Sequence, residues 1–310
     1  MASTPTRAVR FDGYGDESVL HVVEIAMPVP AAGEVVVEVR AAGINPGEMA
    51  IRRGYLESQF HTDFPSGEGS DLAGVVTSIG EGVTGFAVGD EVLGFSWTRS
   101  SHATHASVPV TQIIPKPSEL GWEVAGSLYV AGCTAYAAVR AVDPQRGETV
   151  AVSAAAGGVG TIVVQMLRAR GVFVIGIASS ANAAWLTSHG VTPVEYGDGL
   201  ADRIRAAAPE GVDAFIDLFG PEYLDLALEL GVAPQRIETI ISFERAGEIG
   251  SRADGSGTAS TPEVLTEVAG LVVDGTIQVE IAATYPLDRA ADAFRELSAG
   301  HTRGKIVLIP

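Results

Sequence analysis

Residues 150–165 hold the pattern with the plainest chemistry: Val150-Ala151-Val152-Ser153-Ala154-Ala155-Ala156-Gly157-Gly158-Val159-Gly160-Thr161-Ile162-Val163-Val164-Gln165. An apolar, β-branched run enters an Ala-x-x-Gly-x-x-Gly turn and leaves it as a helical pattern through Ile162, Val163, Gln165, Met166 and Leu167. Strand, tight turn and helix in that order are what a pyrophosphate needs. Gly157 is expected to turn the backbone sharply, Gly158 to admit close approach, and Gly160 to seat the helix on the strand; Ala156 and Val159 complete the loop. The first N–H groups of the helix lack partners within it and carry partial positive charge, so an anion is stabilised there. A bare Gly-x-x-Gly also marks ordinary turns. The flanking strand and helix favour the dinucleotide reading.

The next strand bears on which dinucleotide. An NAD site places an Asp or Glu about 20 residues past the glycine loop, at the end of the second strand, to hold the ribose hydroxyls. Here that strand ends Gly176-Ile177-Ala178-Ser179-Ser180-Ala181-Asn182, with no carboxylate. The small hydroxyl and amide side chains of Ser179, Ser180 and Asn182 leave room for a 2′-phosphate and can donate to it. NADP(H) is therefore the expected cofactor. A second role, capping the helix that follows, is compatible with the first.

Other chemistries find little support. No Ser-His-Asp or Cys-His constellation is visible, and the one cysteine, Cys133, lies in an apolar run of small residues, as an inert buried thiol would. His102 and His105 stand three apart in a loop, where a surface pair is expected. A net charge of −18 argues against a nucleic-acid or anionic-membrane partner. No apolar run approaches the roughly 20 residues of a membrane helix. Residues 1–7 lack the basic-then-apolar layout of a signal peptide. With a single cysteine, this suits a soluble protein of the reducing cytosol.

The 310 residues suit two domains. Residues 7–11, 20–24 and 34–41 read as strands, and 41–55 as a Gly-rich turn followed by a helical turn that stops at Gly54. The dense glycines of 64–95, then 107–117, suggest a small barrel-like β unit. From 123 onward strands alternate with helices: an Ala-rich helical segment (124–139), strands at 172–178, 193–196, 213–219 and 236–241, and helices at 183–188 and 201–207. That alternation marks a doubly wound parallel sheet. A polar, mobile loop is expected at 247–260, a helix at 262–273, a strand at 277–283, a helix at 287–298, and a last strand at 305–309 returning to the first domain.

This ordering resembles the medium-chain dehydrogenase/reductase superfamily, in its zinc-independent quinone oxidoreductase branch. The likeness rests on Ala41-Ala42-Gly43-Ile44-Asn45-Pro46, the glycines of 67–76, Gly82-Val83, Gly89-Asp90-Glu91-Val92, Pro115-Lys116-Pro117, Gly132-Cys133-Thr134-Ala135-Tyr136, the 154–160 loop and Gly304-Lys305-Ile306-Val307-Leu308. It implies a partly closed GroES-like β barrel catalytic domain (1–122 and 276–310), a Rossmann domain (123–275), an active site in the cleft between them, and a homodimer. Zinc alcohol dehydrogenases place a cysteine where this chain has Asn45 and a His-Glu pair where it has Ser70-Asp71. A catalytic zinc needs about three protein ligands, and that set argues against the metal.

The resemblance further implies that Asn45 stands near the nicotinamide carboxamide and the reacting centre, and that Thr134 approaches the nicotinamide. It places Ile241 and Phe243 on the pocket wall, and Tyr196 on the phosphate. Tyr55 matches a proton-donating tyrosine, with water as the rival donor; packing is an equal reading. Lys305 is either a cofactor ligand or a surface strand residue. Glu48 replaces an aspartate, and Arg52 holds an anionic group or pairs with Glu48. The chemistry implied is hydride transfer to a small quinone or α,β-unsaturated carbonyl. Two other readings are a dedicated enoyl-thioester or natural-product double-bond reductase, whose pocket the 55–64 and 95–105 loops would line, and a catalytically idle NADPH-binding protein.

Overall fold

The computed structural model describes residues 5–58 and 61–310. Residues 1–4 of the leader reading, and residues 59 and 60 of the 55–64 loop, lie outside the described residues. The chain forms two compact units: one from residues up to Val130, Thr261–Ala269 and Ile281–Pro310, the other from Ala131–Ser260 and Gly270–Glu280.

The first unit is rich in sheet. Its strands begin with β1 (Thr6–Phe11), β2 (His21–Ile25), β3 (Glu34–Gly43), β4 (Ser66–Gly67), β5 (Asp71–Ile79), β6 (Glu91–Phe95), β7 (His105–Pro109) and β8 (Ile113–Pro115). The alternating run Glu34-Val35-Val36-Val37-Glu38-Val39 makes β3 the spine. It pairs antiparallel with β5 on one side and with β7 on the other, burying Val35, Val37 and Val39 against Leu72, Val76, Val92 and Val108. Each such side chain contributes roughly 1.5–3 kcal/mol by leaving water. The sheet does not close on itself among the described residues. Three short or middle-length helices belong to this stretch: α1 (Pro46–Arg52), α2 (Trp122–Ala125) and α3 (Leu128–Val142), the last running on into the second unit.

The second unit is the parallel sheet. Its strands β9 (Thr149–Val152), β10 (Phe173–Ala178), β11 (Thr192–Glu195), β12 (Ala214–Asp217) and β13 (Ile237–Thr239) lie in the order β11-β10-β9-β12-β13. The chain winds outward from β9 through β10 to β11, then crosses back to β12. The order therefore reverses at β9, where the glycine loop begins, and open parallel sheets bind ligands at that reversal. The helices α4 (Gly160–Ala169), α5 (Ala183–Ser188), α6 (Leu200–Ala207) and α7 (Glu222–Glu229) connect the strands, and α8 (Phe243–Ile249) follows β13. Ile175, Ile177, Phe215 and Ile237 from the strands meet Ile204 and Leu224 from the helices in one core. The closing elements are α9 (Pro262–Val273), β14 (Ile281–Pro286), α10 (Ala290–Ser298) and β15 (Lys305–Ile309). As the sequence suggested, β15 returns to the first unit and pairs with β3.

Two expectations need correction, and one helix was not foreseen. The mobile loop at 247–260 begins as helix: α8 runs to Ile249, and the left-handed Gly250 (φ 71°) ends it. The strand expected at 277–283 starts only at Ile281. The Gln165 side chain takes the backbone of Gln278, donating to its carbonyl at 2.9 Å and accepting from its N–H at 2.9 Å, so that segment has no ladder to join. Helix α7 was not expected.

The outer edge of β13 is covered by residues 252–254. Thr239 N–H donates to the Arg252 carbonyl at 3.1 Å and Arg252 N–H to the Ile237 carbonyl at 2.9 Å. Under this cover lies Glu238, whose Oε1 accepts from Asp254 N–H at 2.9 Å while Oε2 has no partner. Burial pushes its carboxyl from 4.5 up to about 8. A folded-state value above the unfolded one contributes stability that is complete below the unfolded value and lost as pH rises through the folded one. Glu238→Gln should therefore gain stability relative to wild type as pH rises from below 4.5 to above 8. Urea denaturation at several pH values measures this; a difference independent of pH contradicts it.

Candidate active site and cofactor cradle

The first unit gathers a buried polar cluster at one end of β3. Asn45 precedes α1 in extended conformation with Pro46 at the first helical position, which suits proline's fixed φ and missing donor. Glu48, three residues on, reaches back so that its Oε2 accepts from Asn45 N–H at 2.9 Å, and its Oε1 accepts from Ser70 N–H at 2.8 Å and Asn45 Nδ2 at 3.4 Å. Asp71 opens β5. Its Oδ1 accepts from Val130 N–H at 2.7 Å and its Oδ2 from Asn45 Nδ2 at 3.1 Å. Lys305 opens β15, and its ammonium donates to Asn45 Oδ1 at 2.6 Å and to the Ile44 carbonyl at 3.0 Å, with Asp71 Oδ2 at 3.7 Å.

The cluster fixes the Asn45 amide. An ammonium cannot accept a hydrogen bond, so the oxygen must face Lys305 and the nitrogen the two carboxylates. Burial pushes Asp71 up to about 6, against the pull of Lys305. Burial likewise pushes Lys305 down, against the pull of Asp71. Lys305 is thus no surface residue; it is 4% exposed.

Two further expectations fail here. Arg52 pairs with Glu68, not Glu48, and stacks over Phe294 with 4.4 Å to the ring centroid. It is fully buried, so it cannot hold an anionic substrate group. Burial pushes Glu68 up to about 8, with Arg52 drawing it back. His102 is not a surface residue either. It is fully buried, with Nε2 at 3.2 Å from the Gly43 carbonyl, while Gly69, at φ 95°, passes so close that a Cβ there would lie 2.3 Å from the His102 ring. His105 is half-buried on β7. Tyr55, by contrast, is 75% exposed, an exposure that does not fit a packing role.

The second unit holds the candidate cradle. The sharp turn after β9 falls on Ala154, which adopts φ 45°, and not on Gly157, whose N–H donates to the Ala154 carbonyl at 2.9 Å. Gly160 does seat the helix as expected: a Cβ there would lie 2.2 Å from the Ala154 carbonyl oxygen. Helix α4 starts at Gly160, beyond Ala156, Gly158 and Val159, with no side-chain cap on its N-terminus. At the end of β10, Ser179 and Asn182 bond each other at 3.1 Å, and neither caps the following helix. Ser180 is exposed. Tyr196 is half-exposed on a turn held by Arg203, whose guanidinium donates to the carbonyls of Glu195, Gly197 and Asp198. Ile241 and Phe243 are half-exposed after β13, while Thr134 and Cys133 are buried in α3. Sequence reasoning missed Asp217, the residue on which three loops of this edge converge; its only signal was a carboxylate ending the apolar run Ala214-Phe215-Ile216.

A family profile described as an alcohol dehydrogenase GroES-like domain matches residues 31–142, and one described as a zinc-binding dehydrogenase matches residues 190–308. A quinone oxidoreductase of Pseudomonas aeruginosa is 30% identical over 329 residues, covering 98% of this chain and 99% of that one. The chain belongs to the quinone oxidoreductase branch of the medium-chain dehydrogenase/reductase superfamily. A quinone oxidoreductase of Mus musculus is 29% identical over 326 residues, covering 98% and 97% of the two chains. The crystal structure of the Escherichia coli quinone oxidoreductase complexed with NADPH superposes with a TM-score of 0.88 at 25% identity, covering 98% of this chain and all of that one. Within this family of oxidoreductases, the donor set here does not fit a zinc ion: the Asn45 oxygen is taken by an ammonium. Among the described residues, no three His, Cys, Asp or Glu side chains come together as metal ligands.

Lys305→Met leaves Asp71 buried without its counter-charge, which typically costs about 3–5 kcal/mol. Adding Asp71→Asn should restore part of that loss in urea denaturation. A double variant no more stable than the single one would contradict the pairing.

Proposed function

We propose that the protein is a zinc-free, NADPH-dependent oxidoreductase that reduces a quinone or an α,β-unsaturated carbonyl. One observation carries the choice of cofactor: β10 ends in hydroxyls committed to no helix cap, with no carboxylate, beside a strand-order reversal where α4 starts uncapped. Neutral donors and helix N–H groups suit a pyrophosphate and a 2′-phosphate. In this reading Gly157 through Gly160 hold the pyrophosphate, and Ser179, Ser180, Asn182 and Tyr196 hold the 2′-phosphate. Thr134, Ile241 and Phe243 orient the nicotinamide. The reduced nicotinamide, when bound, supplies a hydride. Asn45, its amide fixed by Lys305 and the carboxylates, presents one constant arrangement of charge to the acceptor. Tyr55 supplies the proton that completes the two-electron reduction. No helix among the described residues is long and apolar enough to cross a membrane. The same reading takes the protein as a cytoplasmic homodimer, and β11, at an edge of its sheet, is a candidate for pairing.

Steady-state oxidation of NADPH and NADH against a panel of small quinones and enones, with and without a chelator, tests the proposal. NADPH should be preferred and the chelator should have no effect. Ser180→Ala should cut the preference for NADPH about tenfold, the scale of one hydrogen bond to a charged group. Chelator-sensitive turnover would overturn the zinc-free reading. Equal use of NADH would overturn the phosphate assignment.

A further inference from the structure

The second unit holds a buried carboxylate that none of these roles uses. Asp217 ends β12 with no exposure to solvent. Its Oδ1 accepts from the Ser153 hydroxyl at 2.8 Å and from the N–H groups of Phe219 at 2.9 Å and Gly220 at 3.1 Å. Its Oδ2 accepts from the hydroxyls of Thr239 at 2.8 Å and Ser242 at 3.2 Å. The hydroxyls pass the tie onward. Ser153 Oγ accepts from Leu218 N–H at 2.8 Å, and Thr239 Oγ1 accepts from the N–H groups of Ile241 at 3.2 Å and Ser242 at 3.0 Å. Three stretches at the carboxyl edge of the sheet thus hang on one side chain: the entry to the glycine loop, residues 218–220, and residues 239–242.

The chemistry of the donors says why the residue is an aspartate. Each donor is a neutral hydroxyl or a backbone N–H, and a carboxylate offers acceptors on both oxygens where an amide offers only one. Hydrogen bonds to an ionised group are about twice as strong as neutral ones. An asparagine of the same shape would turn an NH2 group toward one set of donors. What the carboxylate holds is also particular. Ile241 and Phe243 are half-exposed apolar side chains, which their own packing cannot aim, so their direction depends on the backbone beneath them.

We propose that Asp217 is a positioning residue for the cofactor: its carboxylate clamps the loop carrying Ile241 and Phe243 to the entry of the glycine loop, and so sets the seat of the nicotinamide half. This rests on the NADPH reading above. The adenosine half, assigned to Ser179 and Ser180 on β10, lies outside the clamp.

Asp217→Asn tests the clamp, with Ser242→Ala as a milder variant that removes only the tie to residues 239–242 and serves alone if the first does not fold. Amide hydrogen exchange should quicken at 218–220 and 240–243 in Asp217→Asn, and at 240–243 in Ser242→Ala, with the remaining amides as in wild type. NADPH binding, followed by its fluorescence, should weaken about tenfold or more in Asp217→Asn, as expected for losing bonds to a charged acceptor. Binding of 2′,5′-ADP, which lacks the nicotinamide half, should not change. Parallel weakening of both ligands would reduce Asp217 to a structural residue and overturn the proposal, as would unchanged exchange in the two loops. Wild-type protein that binds neither ligand would overturn the NADPH reading and the positioning role with it. The exchange data would then show separately whether the carboxylate ties the loops.

Discussion

A buried ammonium is the constraint on which the first unit depends. Taking a charge out of water costs several kcal/mol, recovered only when partners stand in place around it. Lys305 finds them in Asn45, the Ile44 carbonyl and Asp71, the first two at sequence separations of 260 and 261. The last strand must therefore dock on β3 before the cluster is satisfied. The same docking buries Ile306 and Leu308 against Ile44 and Phe294. Hydrophobic burial and charge satisfaction thus require one arrangement, and the orientation of Asn45 follows from it.

The second unit solves the opposite electrostatic problem. In the function proposed above, a chain of net charge −18 must attract a phosphate-rich ligand. Its two lysines do not face solvent: Lys305 is buried, and the Lys116 side chain, 4% exposed, bonds Glu91. In that function, recognition of phosphate then falls to helix N–H groups and hydroxyls. Neutral donors add no desolvated charge, and they bind an anion well when their backbone is held still. That demand for stillness gives a buried Asp217 beneath the loops its physical sense.

What could be read from the sequence was what local chemistry decides. The glycine loop, the alternation of β3 and the strand–helix rhythm after 123 all lie within windows of a few residues. Tertiary partners decided the rest. His102 looks like a surface residue until Gly69 and Phe294 enclose it. Residues 277–280 resemble a strand, yet Gln165 claims their backbone from over a hundred positions away. The left-handed residue of the turn after β9 is an alanine, which no preference for glycine reveals. In the candidate site, the residue types of Asn45, Ser179 and Lys305 could be picked out from motif and resemblance. The partners of Lys305 and Arg52 could not, because they are set by which distant strands come together.

The most direct test of the account is anaerobic single-turnover oxidation of NADPH by a small quinone, compared with NADPH deuterated at the transferred C4 position, in the presence of a chelator. The account requires one hydroquinone formed for each NADPH consumed, and a slower step with the deuterated cofactor. Bound NADPH that stays reduced with every acceptor, or oxidation that stops when the chelator is added, would contradict it.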